Sequence, residues 1–178
     1  IVIYNFGKRI ADTFHDLDDK SYAKSLVLPY IEAHRHKGWF SPDWREDDLL
    51  TLVSLQSHIS SKHKDVDSDR GLGTVVLIEF FQQVSRECGK EASEHAKMSI
   101  ISGQTHILFD EKYSLRHDSS GREIIAFNKA NDLNEQPDSD YITHFKRARF
   151  PGTVISIKFP LSPEYTKIAE YDKTIESY

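Results

Sequence analysis

The order of helical and strand-like segments constrains the fold of this chain more than any other feature. A β-branched and aromatic run at residues 1–4 predicts a buried strand that ends in a turn. Apolar residues at helical spacing follow, and a further helix is predicted over 74–86. The period then changes, and strands are predicted over 97–102, 105–109, 122–128 and 153–159. Because no helix separates these late strands, they should pair antiparallel or mixed. We therefore expect an α+β fold, a two-layer α/β sandwich whose mixed, mostly antiparallel sheet carries helices on one face.

Local signals refine the helical part. Ser41 followed by Pro42 is typical of a helix start, because serine caps the first turn and proline fits the first helical position. Pro29 is expected to disturb the helical pattern around it. Residues 60–69 contain almost no large apolar side chain and predict a mobile, charged loop. Residues 131–140 predict an exposed loop.

Length and composition bound the class of protein. The 178 residues suit one domain over 1–161, followed by a C-terminal helix or linker over 162–178. Because the chain starts at Ile1 inside a strand, we expect it to be a fragment of a larger protein. The single cysteine, Cys88, excludes an internal disulfide framework and favours a reducing, cytoplasmic location. No apolar run reaches the roughly 20 residues of a membrane helix, so no membrane partner is expected.

Charge and histidine spacing argue against two kinds of site. The net charge of −5 disfavours a dedicated nucleic-acid surface, although it is compatible with a local basic patch. One such patch is the cluster Lys146, Arg147 and Arg149 beside Phe150, which is either a nucleic-acid contact or a solvated loop. The nine histidines lack the spacing of a zinc site, so no metal-binding residue is predicted.

Two glycines stand where a polar stretch gives way to an apolar helix, in the segment Arg70-Gly71-Leu72-Gly73-Thr74. Unpaired N–H groups and the positive end of the dipole make the first turn of a helix a favourable place for a phosphate. Glycine lets the backbone approach an anion closely. The alternative is a plain turn into a helix, and the Thr74 hydroxyl is then a helix-start group rather than a phosphate ligand.

This segment and two others together resemble the ATP-binding domain of the GHKL superfamily, the Bergerat-fold ATPases of DNA gyrase B, heat-shock chaperones, sensor histidine kinases and MutL repair proteins. Asn5-Phe6-Gly7 resembles the motif, usually Asp-x-Gly, that holds adenine. The segment 70–74 resembles the glycine motif that cradles the phosphates. Pro151-Gly152-Thr153 resembles the late Gly-Thr near the adenine. The resemblance covers about residues 1–161, and a degenerate bacterial member of the superfamily fits best.

The resemblance implies a role for each matching residue. Asn5, Gly7 and Thr153 would lie at the base, and Arg70, Gly71, Leu72, Gly73 and Thr74 at the phosphates. Lys62, in the loop that would form the lid from about 38 to 69, would reach the terminal phosphate. Each has a plainer alternative: an Asx turn for Asn5, a turn position for Gly7, a solvated side chain for Lys62 and Arg70, and an ordinary strand residue for Thr153.

Two departures from the family pattern affect the expected chemistry. Asn5 replaces the usual aspartate, so its amide accepts a hydrogen bond without the help of a charge. The family's glutamate base and its Mg²⁺-binding asparagine lie on a helix before the first strand, outside these residues. Catalytic residues therefore stay unknown, and hydrolysis of ATP is an open question.

The expected function is an ATP-binding domain that acts as a nucleotide-dependent switch, with ATP and Mg²⁺ as ligands and an unknown protein as partner. One alternative is a protein kinase of the histidine-kinase or anti-sigma type. Another is a degenerate, nucleotide-free fold that serves protein–protein interaction. A homodimer is possible within each, and a nucleic-acid partner is the least favoured reading.

Overall fold

The structure, a computed structural model, describes residues 1–35, 44–62, 72–88 and 95–160. Its helices are α1 (Ile10–His15), α2 (Tyr22–Arg35), α3 (Glu46–Val53) and α4 (Leu72–Cys88). Its strands are β1 (Val2–Phe6), β2 (Lys97–Ser102), β3 (Thr105–Phe109), β4 (Arg116–His117), β5 (Glu123–Ile124), β6 (Ile142–His144) and β7 (Gly152–Lys158). None of these helices has the length and apolar character needed to cross a membrane.

Five strands form one sheet in the order β1-β7-β2-β3-β6, and every pairing in it is antiparallel. Strands β4 and β5 form a separate two-stranded ribbon. The structure therefore confirms an α+β architecture with an antiparallel sheet. No parallel pair occurs in the described strands, because hairpins and loops, and no crossover helix, join the late strands.

One face of the five-stranded sheet carries the core. Alternate residues of β2 and β3 are buried, and Phe109 packs edge-on against both Phe81 of α4 and Phe127. Strands β3 and β6 also contact α3, which in turn contacts α1 and α2. The described helices thus lie on a single face of the sheet, as the element order predicts.

Strand β1 departs from expectation, because it is an exposed edge strand and the predicted buried strand is wrong. Its five residues are all exposed, and within the sheet it pairs with β7 alone. The apolar run correctly indicated a strand, since β-branched and aromatic residues favour one. Burial, however, depends on what packs against the strand, and residues 1–4 carry no information about that.

Two helices also differ from the prediction. Helix α2 continues through Pro29, since Ala23, Val27 and Ile31 bury one side of it against the core. Helix α3 begins at Glu46, with Arg45 as the capping residue, and the predicted start at Ser41 lies outside the described residues. The first turn of α3 is acidic, with Glu46, Asp47 and Asp48.

Among the late strands, the hydrophobic period predicts some correctly and others not. The predictions for 97–102 and 105–109 match β2 and β3. The predicted strand 122–128 is wrong beyond Glu123–Ile124. Side chains satisfy the backbone there instead: Gln56 binds both the N–H and the C=O of Ile125, and Asn131 Oδ1 accepts from the Ala126 N–H. The short strand β6 was missed, because three residues give no measurable period.

Candidate functional site

An open cleft of about 480 Å³ lies where the end of β1, the entry to α1 and the first turn of α4 meet. Four residues from the three predicted blocks line it together: Asn5, Gly73, Thr74 and Thr153. The remaining lining residues are Lys8, Arg9, Ile10, Thr13, Phe14, Ser54, Ile59, Ser60 and Ser61. Segments that are widely separated in sequence are thus brought to one cavity.

Asn5 and Thr153 lie side by side because β1 and β7 pair in a register that sets them opposite each other. The Thr153 N–H donates to Asn5 Oδ1 at 3.3 Å, and the Thr153 and Ser102 hydroxyls are 3.2 Å apart. Ser102 Oγ in turn accepts from the Ile10 N–H at 2.8 Å. This chain of bonds ties β1, β7, β2 and the start of α1 into one wall of the cleft. The Asn5 NH₂ group has no hydrogen-bond partner among the described residues.

Gly152 is required at this wall for a steric reason. Its φ is +143°, and a Cβ there would stand 2.1 Å from the backbone oxygen of Asn5. Gly7, with φ +153°, turns the chain away from β1 while its N–H donates to the Pro151 carbonyl at 3.2 Å. Both glycines of the flanking blocks therefore serve backbone geometry. They position Asn5 and Thr153 and do not themselves line the cleft.

The cations at the α1 side of the cleft are held by acidic partners outside it. Arg9 forms ion pairs with Asp12 and Asp47, and its Nε lies 2.9 Å from Asp12 Oδ2. The hydrogen bond from the Arg9 side chain holds the pKa of Asp12 below its ordinary value. Lys8 pairs with Asp16 at 2.6 Å on the exposed side. Two positive groups thus stand at the cleft, and none of its lining residues is a carboxylate.

The first turn of α4 also lines the cleft, through Gly73 and Thr74. The helix begins at Leu72, two residues before the predicted start at Thr74, so Gly73 is a helical residue. A Cβ on Gly73 would meet nothing within 4 Å, so the cleft side of this turn is open space. The first N–H groups of a helix have no intrahelical acceptor.

The other predicted site residues have different outcomes. Leu72 and Lys62 adjoin lining residues in sequence but do not line the cleft, and Leu72 is exposed. Arg70 and Gly71 lie outside the described residues. Sequence reasoning missed Lys8, Arg9 and the hydroxyl residues Thr13, Ser54 and Ser60. Lys8 and Arg9 could have been identified from the sequence, because they directly follow the Asn5-Phe6-Gly7 motif. Ser54 could not, because only the packing of α3 brings it to the cleft.

The described residues contain no group of three or more histidine, cysteine, aspartate or glutamate side chains placed to hold a metal ion. A second cleft of about 440 Å³ lies beside α4 and includes Asp110, Glu111 and Ser85. There the Ser85 hydroxyl donates to one oxygen of the Glu111 carboxylate at 3.1 Å, and His95 Nδ1 lies 3.6 Å from the other oxygen.

Comparisons with protein-family models, with curated proteins and with solved structures found no match. A functional assignment for this chain therefore depends on the geometry of the cleft.

Proposed function

We propose that this chain is an ATP-binding domain of the GHKL type, with a Bergerat fold, that works as a nucleotide-dependent switch. The observation that carries the proposal is the meeting of Asn5, Gly73, Thr74 and Thr153 in one open cleft. These residues belong to the three blocks on which the family resemblance depends, and close approach of all three is what a shared ligand requires.

The chemistry of the cleft favours a polyanion. Its described lining has several hydroxyl and amide groups and no carboxylate. Its two cations, Lys8 and Arg9, are paired with Asp16 and with Asp12 and Asp47 just outside the cleft. The amides of the first turn of α4 supply further donors and the positive end of a helix dipole. The phosphates of ATP would lie at Gly73 and Thr74, and the base would lie at Asn5 and Thr153.

The switch would act through the loop that precedes α4. Ser60 and Ser61, at the described end of that loop, line the same cleft as the helix start. A bound phosphate would contact both, so nucleotide binding would bias the position of the loop. By the resemblance, the Mg²⁺ ligand and the general base belong to a helix before the first strand. The residues of this chain would supply recognition of base and phosphate.

Isothermal titration with ATP, ADP and a nonhydrolysable analogue in the presence of Mg²⁺ tests the proposal. We expect saturable heat from ATP, and at least tenfold weaker binding by Gly73→Ala. That variant has room for its methyl group and should improve the helix slightly, since alanine is the better helix former. The matched control is Gln83→Ala, an exposed position three turns along the same helix. Absence of heat with every nucleotide, or unchanged binding by Gly73→Ala, would overturn the proposal.

A second candidate is a nucleotide-free interaction module. It is favoured by Asn5, whose side-chain oxygen is already engaged by the Thr153 N–H. A domain of this kind would bind its protein partner equally well with Gly73→Ala and would show no response to nucleotide.

A further inference from the structure

The sheet has a second face, turned away from the helices, which the described residues leave uncovered. We call it the open face. Its strand residues are Val2, Tyr4, Phe6, Lys97, Ser99, Ile101, His106, Leu108, Thr143, Val154, Ser156 and Lys158. None of them is buried. On β2 and β3 the residues between them fill the core, whereas on β1 the intervening Ile3 and Asn5 are exposed as well. Within the described part of the chain, the open face is therefore at least partly accessible on all five strands.

Aromatic rings are concentrated at one end of the open face. Tyr4 is 62% exposed and Phe6 is 70% exposed, and their rings meet edge-on at 5.5 Å. Phe6 also stacks on Phe150, with ring centroids 5.4 Å apart and planes at 28°. On β3, three strands from β1 in the sheet, His106 stacks on Phe145 with ring centroids 5.7 Å apart and planes at 18°. These rings form a platform of π-surfaces.

The open face does not have the composition of a solvated sheet face. An antiparallel sheet with one wet side usually alternates apolar residues inward with polar residues outward. Here β1 directs Val2, Tyr4 and Phe6 outward, and Ile101 and Leu108 follow on the next strands. An exposed apolar patch of this kind marks a binding surface.

The charge of the open face is opposite to that of the whole chain. No residue in the set defined above is acidic, although the chain has a net charge of −5. The register sets Lys97 directly beside Lys158. The loop from Phe145 to Phe150 adds exposed Lys146, Arg147 and Arg149. Burial lowers the pKa of His106, so lysine and arginine supply the positive charge at neutral pH.

We propose that the open face binds single-stranded nucleic acid. Bases would stack on Tyr4, Phe6 and Phe150, while Lys97 and the basic loop contact the phosphates. Exposed rings beside cations are the combination that single-strand binding requires, since stacking needs unpaired bases and the backbone needs positive charge. Strand β7 runs about 20 Å between the two charged ends, a span that suits a strand of about four nucleotides. This surface is separate from the cleft, and the proposal does not depend on ATP.

The test is fluorescence anisotropy with labelled 12-mers: oligo-dT, oligo-U and a DNA duplex of the same length. We expect both single strands to bind, and the duplex to bind more weakly, because paired bases cannot stack on the platform. Oligo-dT and oligo-U distinguish DNA from RNA as the source of the strand. Phe6→Ala should weaken binding about fivefold or more, and Phe6→Tyr should retain it.

A charge variant provides an independent readout. Replacing Lys146 and Arg147 together by alanine should lower the slope of log Kd against log salt concentration by about 1.4. Arg149 is left in place because it also interacts with Asp12. The controls are Phe80→Ala, an exposed ring on α4, and a Lys20→Ala, Lys129→Ala double variant of equal charge change. Neither should alter binding.

Three results would overturn the proposal. One is the absence of binding of either single strand at 50 mM salt, with the fold verified by circular dichroism. Another is duplex binding as tight as single-strand binding and indifferent to Phe6→Ala. The third is a dimer in solution that buries Tyr4 and Phe6, because the open face would then be covered by a second copy of the chain.

Discussion

The two faces of the five-stranded sheet carry opposite chemistry although they alternate along the same strands. Towards the helices, β2 and β3 direct Met98, Ile100, Ile107 and Phe109, none more than 1% exposed. Away from the helices, the sheet presents aromatic rings and lysines without a carboxylate. Apolar side chains are therefore present on both faces of the sheet. On the covered face they pack in the core, whereas on the open face a ligand or partner would explain them.

The largest expected effect is on stability, and it distinguishes aromatic residues of the covered face from those of the open face. Phe109→Ala should lower the free energy of unfolding by about 3–5 kcal/mol, because it removes a buried ring packed against Phe81 and Phe127. Tyr4→Ala should cost less than about 1 kcal/mol, since most of its ring is already in water. Urea denaturation measures both. A cost for Tyr4→Ala similar to that for Phe109→Ala would show that the open face is covered.

An intermediate effect is expected where β1 joins the sheet. Gly152→Ala should destabilise the protein by about 1–3 kcal/mol, because the new methyl group meets the backbone of Asn5 and φ is positive. Hydrogen exchange should accelerate in β1 and stay unchanged in β3. Gly121→Ala is the control, because its φ is also positive but its Cβ would meet nothing within 4 Å. Equal exchange of β1 in both variants would contradict this account of Gly152.

The smallest effect concerns Asp48, a buried acid on the covered side. Burial raises the pKa of its carboxyl, against the opposing hydrogen bond from the Thr105 hydroxyl at 2.7 Å and the nearby His144 and Arg45. A raised pKa in the folded state favours the protonated form. The stability that it provides is therefore complete below the unfolded pKa near 4 and is lost as pH rises through the folded pKa.

Asp48→Asn, which mimics the protonated acid, should accordingly be more stable than the wild type at pH 7. The gain should be about 1.4 kcal/mol for each unit by which the pKa is raised, and it should vanish below pH 4. Urea denaturation of both proteins between pH 3.5 and 7 gives the difference. A gain that grows as pH falls would contradict the assigned direction.

The sequence allowed the fold class to be predicted where period and length were sufficient. The alternation in 97–102 and 105–109 identified β2 and β3, and the absence of helices after them predicted antiparallel pairing. It failed at β1, whose burial depends on neighbours, and at 122–128, whose backbone is satisfied by Gln56 and Asn131. Local pattern does not report either of these tertiary effects.

The candidate site was predicted only in part, because some of its residues depend on tertiary packing. Asn5, Gly73, Thr74 and Thr153 carried a recognisable motif signal, and the fold brings them to one cleft. Ser54 and Thr13 reach the same cleft only because α1 packs on α3. The spacing of residues in the sequence does not predict that contact. Of the residues proposed to bind nucleic acid, the sequence indicated only the cluster Lys146, Arg147 and Arg149 beside Phe150. The strand residues of the open face could not be predicted, because they depend on which strands become neighbours.

The most direct test of the central claim, that the cleft binds ATP, is hydrogen–deuterium exchange with and without Mg²⁺-ATP. We expect slower exchange at three separated segments together: residues 5–7, the first turn of α4 at 72–75, and residues 152–154. The β4–β5 ribbon should be unaffected. Unchanged exchange at all three segments under saturating ATP, or protection confined to other parts of the chain, would contradict the assignment.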